Sequence, residues 1–379
     1  MPWKVVFDVE YLGKKGTHLP FSGMNSLDIL GPWVEQYQGN TPQMNALNTL
    51  YTNPPGCAPT CNPFYGIITN PNSTMSSSVP GYQLEVPYPQ FNALTGNGVT
   101  TDVQMIANSI YHGLQLTANK AFSNGLELLV NYTWSKSIDD SSVGDDNVTW
   151  LGSFTSLQDP NKPGLERSLS TFDTPSVLKF SYSYDLPIGR GRALLGNMPR
   201  WAEAIVGGWK TNGIWQIADG RPLAITVSGG GTPIPTYGAQ RPNITGTLKR
   251  NYGPDWQDQF FADPNTAPTA NNPVGDVLNP PNAFTLGNMP RTTSMVRTPL
   301  AFTSDLSVSK QFLLAKAHEG VRLELRLEAQ NAFNHPLFSL GTPGPYGDST
   351  LNVGDPSFGI IPRMANSPRQ VQLAAKVSF

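Results

Sequence analysis

The chain has no uninterrupted apolar run approaching the roughly 18 residues that a membrane-spanning helix needs, so a transmembrane helix is excluded. Charge is scarce. Only 14% of residues are charged and the formal net charge is -2, with no basic face evident, which argues against nucleic acid as a partner. Cysteine is scarcer still. Cys57 and Cys61 lie four apart in a proline-rich stretch, where a small loop staple formed in an oxidising compartment is the expected reading and free thiols the alternative. A C-x-x-x-C half-site for metal finds no second half, because His18, His112, His318 and His335 are scattered; no metal or other cofactor is expected. No secretory leader is expected within these residues: Met1-Pro2-Trp3 opens directly onto a strand pattern, without a basic start or an apolar core segment.

Glycine and proline are abundant, at 36 and 35 of 379 residues, which disfavours long helices and favours strands joined by many turns. Alternation of period two marks those strands. The first spans 3–11, with Trp3, Val5, Phe7, Val9 and Tyr11 on one face. Two more, at about 110–119 and 126–135, flank Asn124-Gly125, a strong tight-turn signal. Further strands are expected at 177–186, at 209–217 with a continuation towards 227, at 302–312, at 321–330 and at 369–379. Residues 83–88 read as a short strand-like piece, and 199–204 as a helical turn.

The connections separate into two kinds. Long ones, rich in Pro, Asn, Ser and Gly, are expected at about 12–108, 136–173, 228–300 and 331–368, and shorter ones between them. Aromatic residues mark both ends: Trp3, Phe122, Trp209, Phe312 and Phe379 at the short-turn ends, Tyr11, Trp134, Phe302 and Phe333 at the long-loop ends. Two aromatic belts with long loops outside and short turns in the periplasm form the pattern of a transmembrane antiparallel outer-membrane β-barrel. A hydrophobic fraction of 39% and a mean hydropathy of -0.27 suit a barrel that shows lipid only at every second residue. A soluble β-sandwich also alternates, but it explains neither the loop asymmetry nor both belts.

On the polar face of the last strands, Arg322, Glu324, Arg326, Glu328 and Gln330 are expected to face a watery lumen, joined there by Gln370, Gln372 and Lys376. Glu324 and Glu328 form a pair of carboxylates that acid–base chemistry would need, but the flanking arginines fit lumen ion pairing better, and no enzyme is expected. The acidic cluster Asp139, Asp140, Asp145 and Asp146 reads as a solvated loop rather than a calcium site, since its spacing is not that of an EF-hand. Gly229-Gly230-Gly231 opens no helix, so it is no phosphate cradle.

The last strand alternates Val371, Leu373, Ala375, Val377 and Phe379 against polar residues and closes on an aromatic ring. It resembles the closing strand of an outer-membrane barrel, in which the terminal aromatic residue, here Phe379, is read by the barrel-assembly machinery. Tyr11-Leu12-Gly13-Lys14-Lys15-Gly16-Thr17-His18-Leu19, Asn131-Tyr132-Thr133-Trp134-Ser135-Lys136-Ser137, Gly208-Trp209-Lys210, Gly220-Arg221-Pro222, Asp305-Leu306-Ser307-Val308-Ser309-Lys310 and Glu328-Ala329-Gln330-Asn331-Ala332-Phe333-Asn334-His335-Pro336 carry a wider resemblance. In that order they are similar to the C-terminal barrel portion of TonB-dependent receptors of the Oar-like type. The resemblance implies a location in the outer membrane of a Gram-negative bacterium, contact with its lipid, and a plugged barrel of about 22 strands. It also implies ligand uptake by the complete receptor, whose plug contacts TonB. About eight strands and no plug are legible here, so the chain is expected to be part of a longer protein. A small stand-alone barrel serving as an adhesin or structural protein, and a secreted soluble β-protein, are the alternatives. Loop aromatics (Trp33, Tyr37, Tyr51, Tyr65, Trp150, Phe154, Tyr237, Trp256) suit stacking on a sugar or peptide without naming a ligand.

Overall fold

Eight long strands follow one another in space as they do in sequence. The computed structural model describes residues 4–21, 27–39, 41–52, 61–70, 73–91, 99, 104–141, 157–227, 231–238, 240–269, 273–313, 321–338, 351–361 and 364–379. Within these the strands are β1 (Val5–Phe21), β2 (Gln104–Ser123), β3 (Leu126–Asp139), β4 (Ser176–Asp185), β5 (Trp209–Ala218), β6 (Ala301–Leu313), β7 (Arg322–Gln330) and β8 (Gln370–Ser378). Each pairs antiparallel with its neighbours in the order β1 to β8, and a short strand, Ser168–Leu169, adds to the end of β3. The antiparallel all-β fold expected from the alternation is borne out. Between β2 and β3, Asn124 and Gly125 both take positive φ (53° and 79°), the geometry of a two-residue turn whose twist matches the strands it joins.

Register carries the alternation across the whole sheet. On one face Val9 lies opposite Leu116, Leu116 opposite Tyr132, Tyr132 opposite Leu178, Leu178 opposite Ile217 and Ile217 opposite Phe302. Nearer the other end the rung Leu306, Ala329, Val371 continues into Val308, Leu327, Leu373. The reverse face carries Asp8, Thr117, Asn131, Lys179, Gln216 and Thr303 in a single rung. A slip of one residue in any strand would break both faces at once.

Four expectations are corrected. β1 does not stop at Tyr11 and β3 does not stop at Ser135. β1 reaches Phe21 because its pairing with β2 continues through Gly13–His112, Lys14–Tyr111 and Lys15–Ile110, so the first long connection begins later than residue 12. Residues 83–88 form no strand. Gly81–Leu84 is a helical turn instead, and the Gln83 side-chain amide donates to the carbonyls of Pro89 and Phe91, a local closure that competes with any ladder. β5 ends at Ala218 rather than running on towards 227. Pro222–Leu223 changes partner and pairs with Thr293–Arg297, with Thr298 N–H donating to the Arg221 carbonyl. The helical turn expected at 199–204 is present as Arg200–Val206.

The buried core lies outside the sheet. All nine residues of β8 are exposed, whereas the long connections pack on one another. One cluster joins Leu223, Ile225, Leu248, Phe260, Leu278 and Met289 of the β5–β6 connection to Leu351, Val353 and Ile361 of the β7–β8 connection. A second joins Leu30, Val34, Met44 and Leu47 of the β1–β2 connection to Ile234, Tyr237 and Phe284 of the β5–β6 connection. The strand ends enter a third, of Phe21, Ala107 and Leu157. The connections read from sequence as polar loops thus form a folded cap with its own apolar cores at one end of the sheet.

Candidate functional site

The polar face of β7 holds the expected ion ladder. Arg326 donates through Nη2 to Glu324 Oε1 (2.6 Å) and through Nη1 to Glu328 Oε1 (3.2 Å). Lys376 lies opposite Glu324 in register, Gln372 opposite Glu328, Gln370 opposite Gln330, and Arg322 opposite Ser378. These groups are partly exposed and screened by water, so each pair contributes little stability. Nothing in the arrangement separates one carboxylate from the other for acid–base work, since Arg326 engages both.

Higher on the same face a cleft of about 290 Å³ is lined by Tyr111, Asn131, Thr133, Ser137, Asp173 and Lys179. Thr117 Oγ1 donates to Asn131 Oδ1 (3.0 Å), and Ser137 N–H donates to Asp173 Oδ1 (2.7 Å). Hydroxyls, one amide, one amine and one carboxylate converge there beside Phe172 and Val177. Such a set can take hydrogen bonds from, and give them to, a polar solute, and no group in it is placed as a nucleophile with its base.

Three arginines fasten the β5–β6 connection, one to the end of β3 and two to the β3–β4 connection. Arg291 Nη2 meets Asp139 Oδ1 at 2.6 Å, Arg241 Nη1 meets Glu166 Oε2 at 2.7 Å, and Arg297 Nη2 meets Asp173 Oδ2 at 2.7 Å. Arg291 also donates to the carbonyls of Glu166 and Asp139, and Arg297 to those of Asp173 and Gly220. These planar guanidinium forks saturate buried acceptors that would otherwise be costly. Sequence reasoning missed all three arginines, because their partners lie 75 to 152 positions away. The only local signal is an arginine inside a Pro-Thr-rich connection otherwise poor in charge.

Asp139 and Asp140 of the acidic cluster are therefore committed: Asp140 Oδ1 accepts from Asn108 N–H (2.7 Å), while Asp145 and Asp146 lie outside the described residues. Among the described residues no group of three or more His, Cys, Asp or Glu is placed to hold a metal ion. A second carboxylate neighbourhood, unforeseen, joins three connections. Asp159 is fully buried, Lys162 bridges it to Glu35, and Asn161 donates to Tyr237 Oη (2.8 Å). Burial raises the Asp159 pKa above the ordinary carboxylate value and the charge of Glu35 adds to this, against the pull of Asn161 N–H and Lys162. Burial, and then the charge of Asp159, push the Tyr237 phenol upward as well.

The aromatic residues fall on the apolar face at two levels. Tyr11 and Trp134 flank Leu114 in one rung, and Tyr11 Oη bonds His112 Nδ1 at 2.6 Å. Phe302 and Phe333 close around Trp215, with ring centres at 5.9 Å and 5.3 Å. At the opposite end stand Phe122, Trp209, Phe312 and Phe379, the last fully exposed. Trp3 lies outside the described residues. Cys61 is disulfide-bonded, and Cys57, the chain's other cysteine, lies outside the described residues. Of the loop aromatics, Tyr237 is buried and Trp256 packs edge-on against Phe338 at 4.9 Å, so neither is free to stack on a ligand. Trp33 and Tyr65 are exposed, Tyr37 is half-buried and edge-on to Trp33, Tyr51 is half-buried, and Trp150 and Phe154 are outside the described residues.

An antiparallel meander with a continuous apolar face, a polar reverse face and a cap of long connections at one end defines a membrane β-barrel protein. A family model described as outer membrane beta barrel domain matches residues 1–372, and the chain belongs to that family, whose place is the bacterial outer membrane. No curated protein and no solved structure matches.

Proposed function

We propose that the chain is the C-terminal barrel portion of a TonB-dependent receptor of the Oar-like type, acting in ligand uptake only together with a plug and further strands. The observation that carries this reading is the pair of free edges. Among the described residues β1 pairs only with β2 and β8 only with β7, while every strand between has a long strand on each side. In lipid an unpaired edge leaves backbone N–H and C=O groups unsatisfied, so both edges call for strands from elsewhere. On this reading the apolar face meets lipid and the aromatic levels are its two belts. Arg322, Glu324, Arg326, Glu328, Gln330, Gln370, Gln372 and Lys376 line the lumen, and Phe379 presents the strand to the assembly machinery. TonB is reached only through the plug.

The test is closure. In a self-closed barrel of eight strands β1 and β8 become neighbours about 5 Å apart, within reach of a disulfide. Val9→Cys combined in turn with Val371→Cys, Leu373→Cys and Val377→Cys is therefore expected to give no intramolecular cross-link in membranes under oxidation. A quantitative cross-link from any of these pairs would establish a stand-alone barrel and remove the transport reading.

A further inference from the structure

The β4–β5 connection, at the end of the sheet opposite the cap, exposes more apolar surface than a solvated turn explains. Its helix Arg200–Val206 presents Trp201 and Ile205, spaced i and i+4 and so on one side, at 71% and 65% exposure. Leu194, Leu195 and Val206 beside it are exposed as well. The helix is nevertheless held firmly. Lys310, which projects from the apolar face of β6, donates through Nζ to the carbonyls of Gly207 (2.5 Å) and Glu203 (3.2 Å). It also stands over the rings of Trp209 and Phe312, at 5.6 Å and 5.2 Å. Trp209 Nε1 donates to the Ile205 carbonyl (2.9 Å), and the Glu203 carboxylate is occupied by Arg190 N–H (2.7 Å).

Two consequences follow. The helix hangs from the same face that carries the apolar band, at the level of Trp209 and Phe312, so its exposed side continues that band. The connection also carries three exposed arginines, Arg190, Arg192 and Arg200, against the single carboxylate of Glu203. An apolar side with a tryptophan, ringed by cations, is the composition of a helix lying in the headgroup region of an anionic bilayer.

We propose that this connection is a membrane-surface anchor: the helix lies flat in the leaflet at the short-turn end, with Trp201 and Ile205 among the acyl chains and the arginines on anionic phospholipid headgroups. The proposal rests on the outer-membrane placement of the sheet and not on the receptor reading.

Nitroxide labels on Trp201→Cys and Ile205→Cys test it in the full chain reconstituted into vesicles of phosphatidylcholine with phosphatidylglycerol. Asn197→Cys serves as a water-exposed reference and Leu373→Cys as a reference on the apolar face. Labels at 201 and 205 are expected to collide several-fold more with oxygen, and several-fold less with a water-soluble nickel complex, than the label at 197. Equal nickel access at 197 and 205 would overturn the anchor. Protection of 205 from both reagents would mean that protein covers the helix, and would overturn it too. Equal immersion in vesicles of phosphatidylcholine alone would overturn the role given to the arginines. A water-like label at 373 would remove the bilayer placement on which the inference stands, while Ile205→Lys, keeping the fold's Lys310 contacts, is expected to restore nickel access nearby.

Discussion

Arg291 and Asp139 meet at 2.6 Å with both side chains more than nine-tenths buried, although 152 positions separate them in the chain. Asp139 is the last residue of β3 and Arg291 belongs to the β5–β6 connection, so a single ion pair pins the cap to the sheet. Removing one partner strips the other of this counter-charge in a buried setting, a loss of about 3–5 kcal/mol. Arg291→Ala is therefore expected to open the β5–β6 connection to protease while the strands stay paired. Limited proteolysis followed by mass analysis of the fragments checks this; unchanged cleavage would show that the pair does not fasten the cap.

Asp159 gives the cap a pH dependence of defined sign. Its folded pKa is raised by burial, so its contribution to stability is fully present below the unfolded carboxylate value of 3.8 and is lost as pH rises through the higher folded value. Asp159→Asn keeps an oxygen for Asn161 N–H and carries no charge. It is expected to slow hydrogen exchange in residues 27–39 and 157–169 at neutral pH, with the advantage vanishing below about pH 3.8. An advantage that grew on acidification would reverse the sign and reject the assignment.

The sheet was legible in sequence because its two faces meet different surroundings, which imposes a period of two on every strand, β8 most cleanly. The extension of β1 to Phe21 was not, because Lys14, Lys15 and Gly16 pair with β2 without an alternating pattern of hydrophobicity, and the register is broken between Gly16 and Leu19. The cap was illegible for another reason. Leu30 packs with Ile234 and Phe284, and Leu223 with Val353, so the periodicity that would betray a core is scattered over three connections. Arg241, Arg291 and Arg297 were missed on the same ground. The polar ladder of β7 was visible as a pattern because Glu324, Arg326 and Glu328 are spaced two apart on one strand.

Gly213 sits opposite Tyr182 in β4, and a Cβ there would lie 2.4 Å from Tyr182 Cε1 and 2.9 Å from Trp215 Nε1. The Tyr182 ring covers the bare backbone that glycine offers. Gly213→Ala is expected to displace both rings and cost about 1–3 kcal/mol through overpacking. The double variant Gly213→Ala with Tyr182→Leu should recover much of it. Urea midpoints of the folded, fast-migrating band check both; a Gly213→Ala midpoint equal to wild type would mean that the rings turn aside freely.

Leu373 and Gln372 are neighbours on β8 that face opposite ways, Leu373 beside Leu327 and Gln372 beside Glu328. If the apolar face meets lipid, arginine at 373 must bury a charge near the bilayer midplane, a loss of about 2–4 kcal/mol. Arginine at 372 would instead stand in the watery lumen opposite a carboxylate and be close to neutral. Membranes carrying Leu373→Arg are therefore expected to release the chain at lower urea than wild type, and membranes carrying Gln372→Arg to retain it. Equal losses from both variants would mean that the two faces of β8 share one environment, and the assignment of lumen and lipid would fail together.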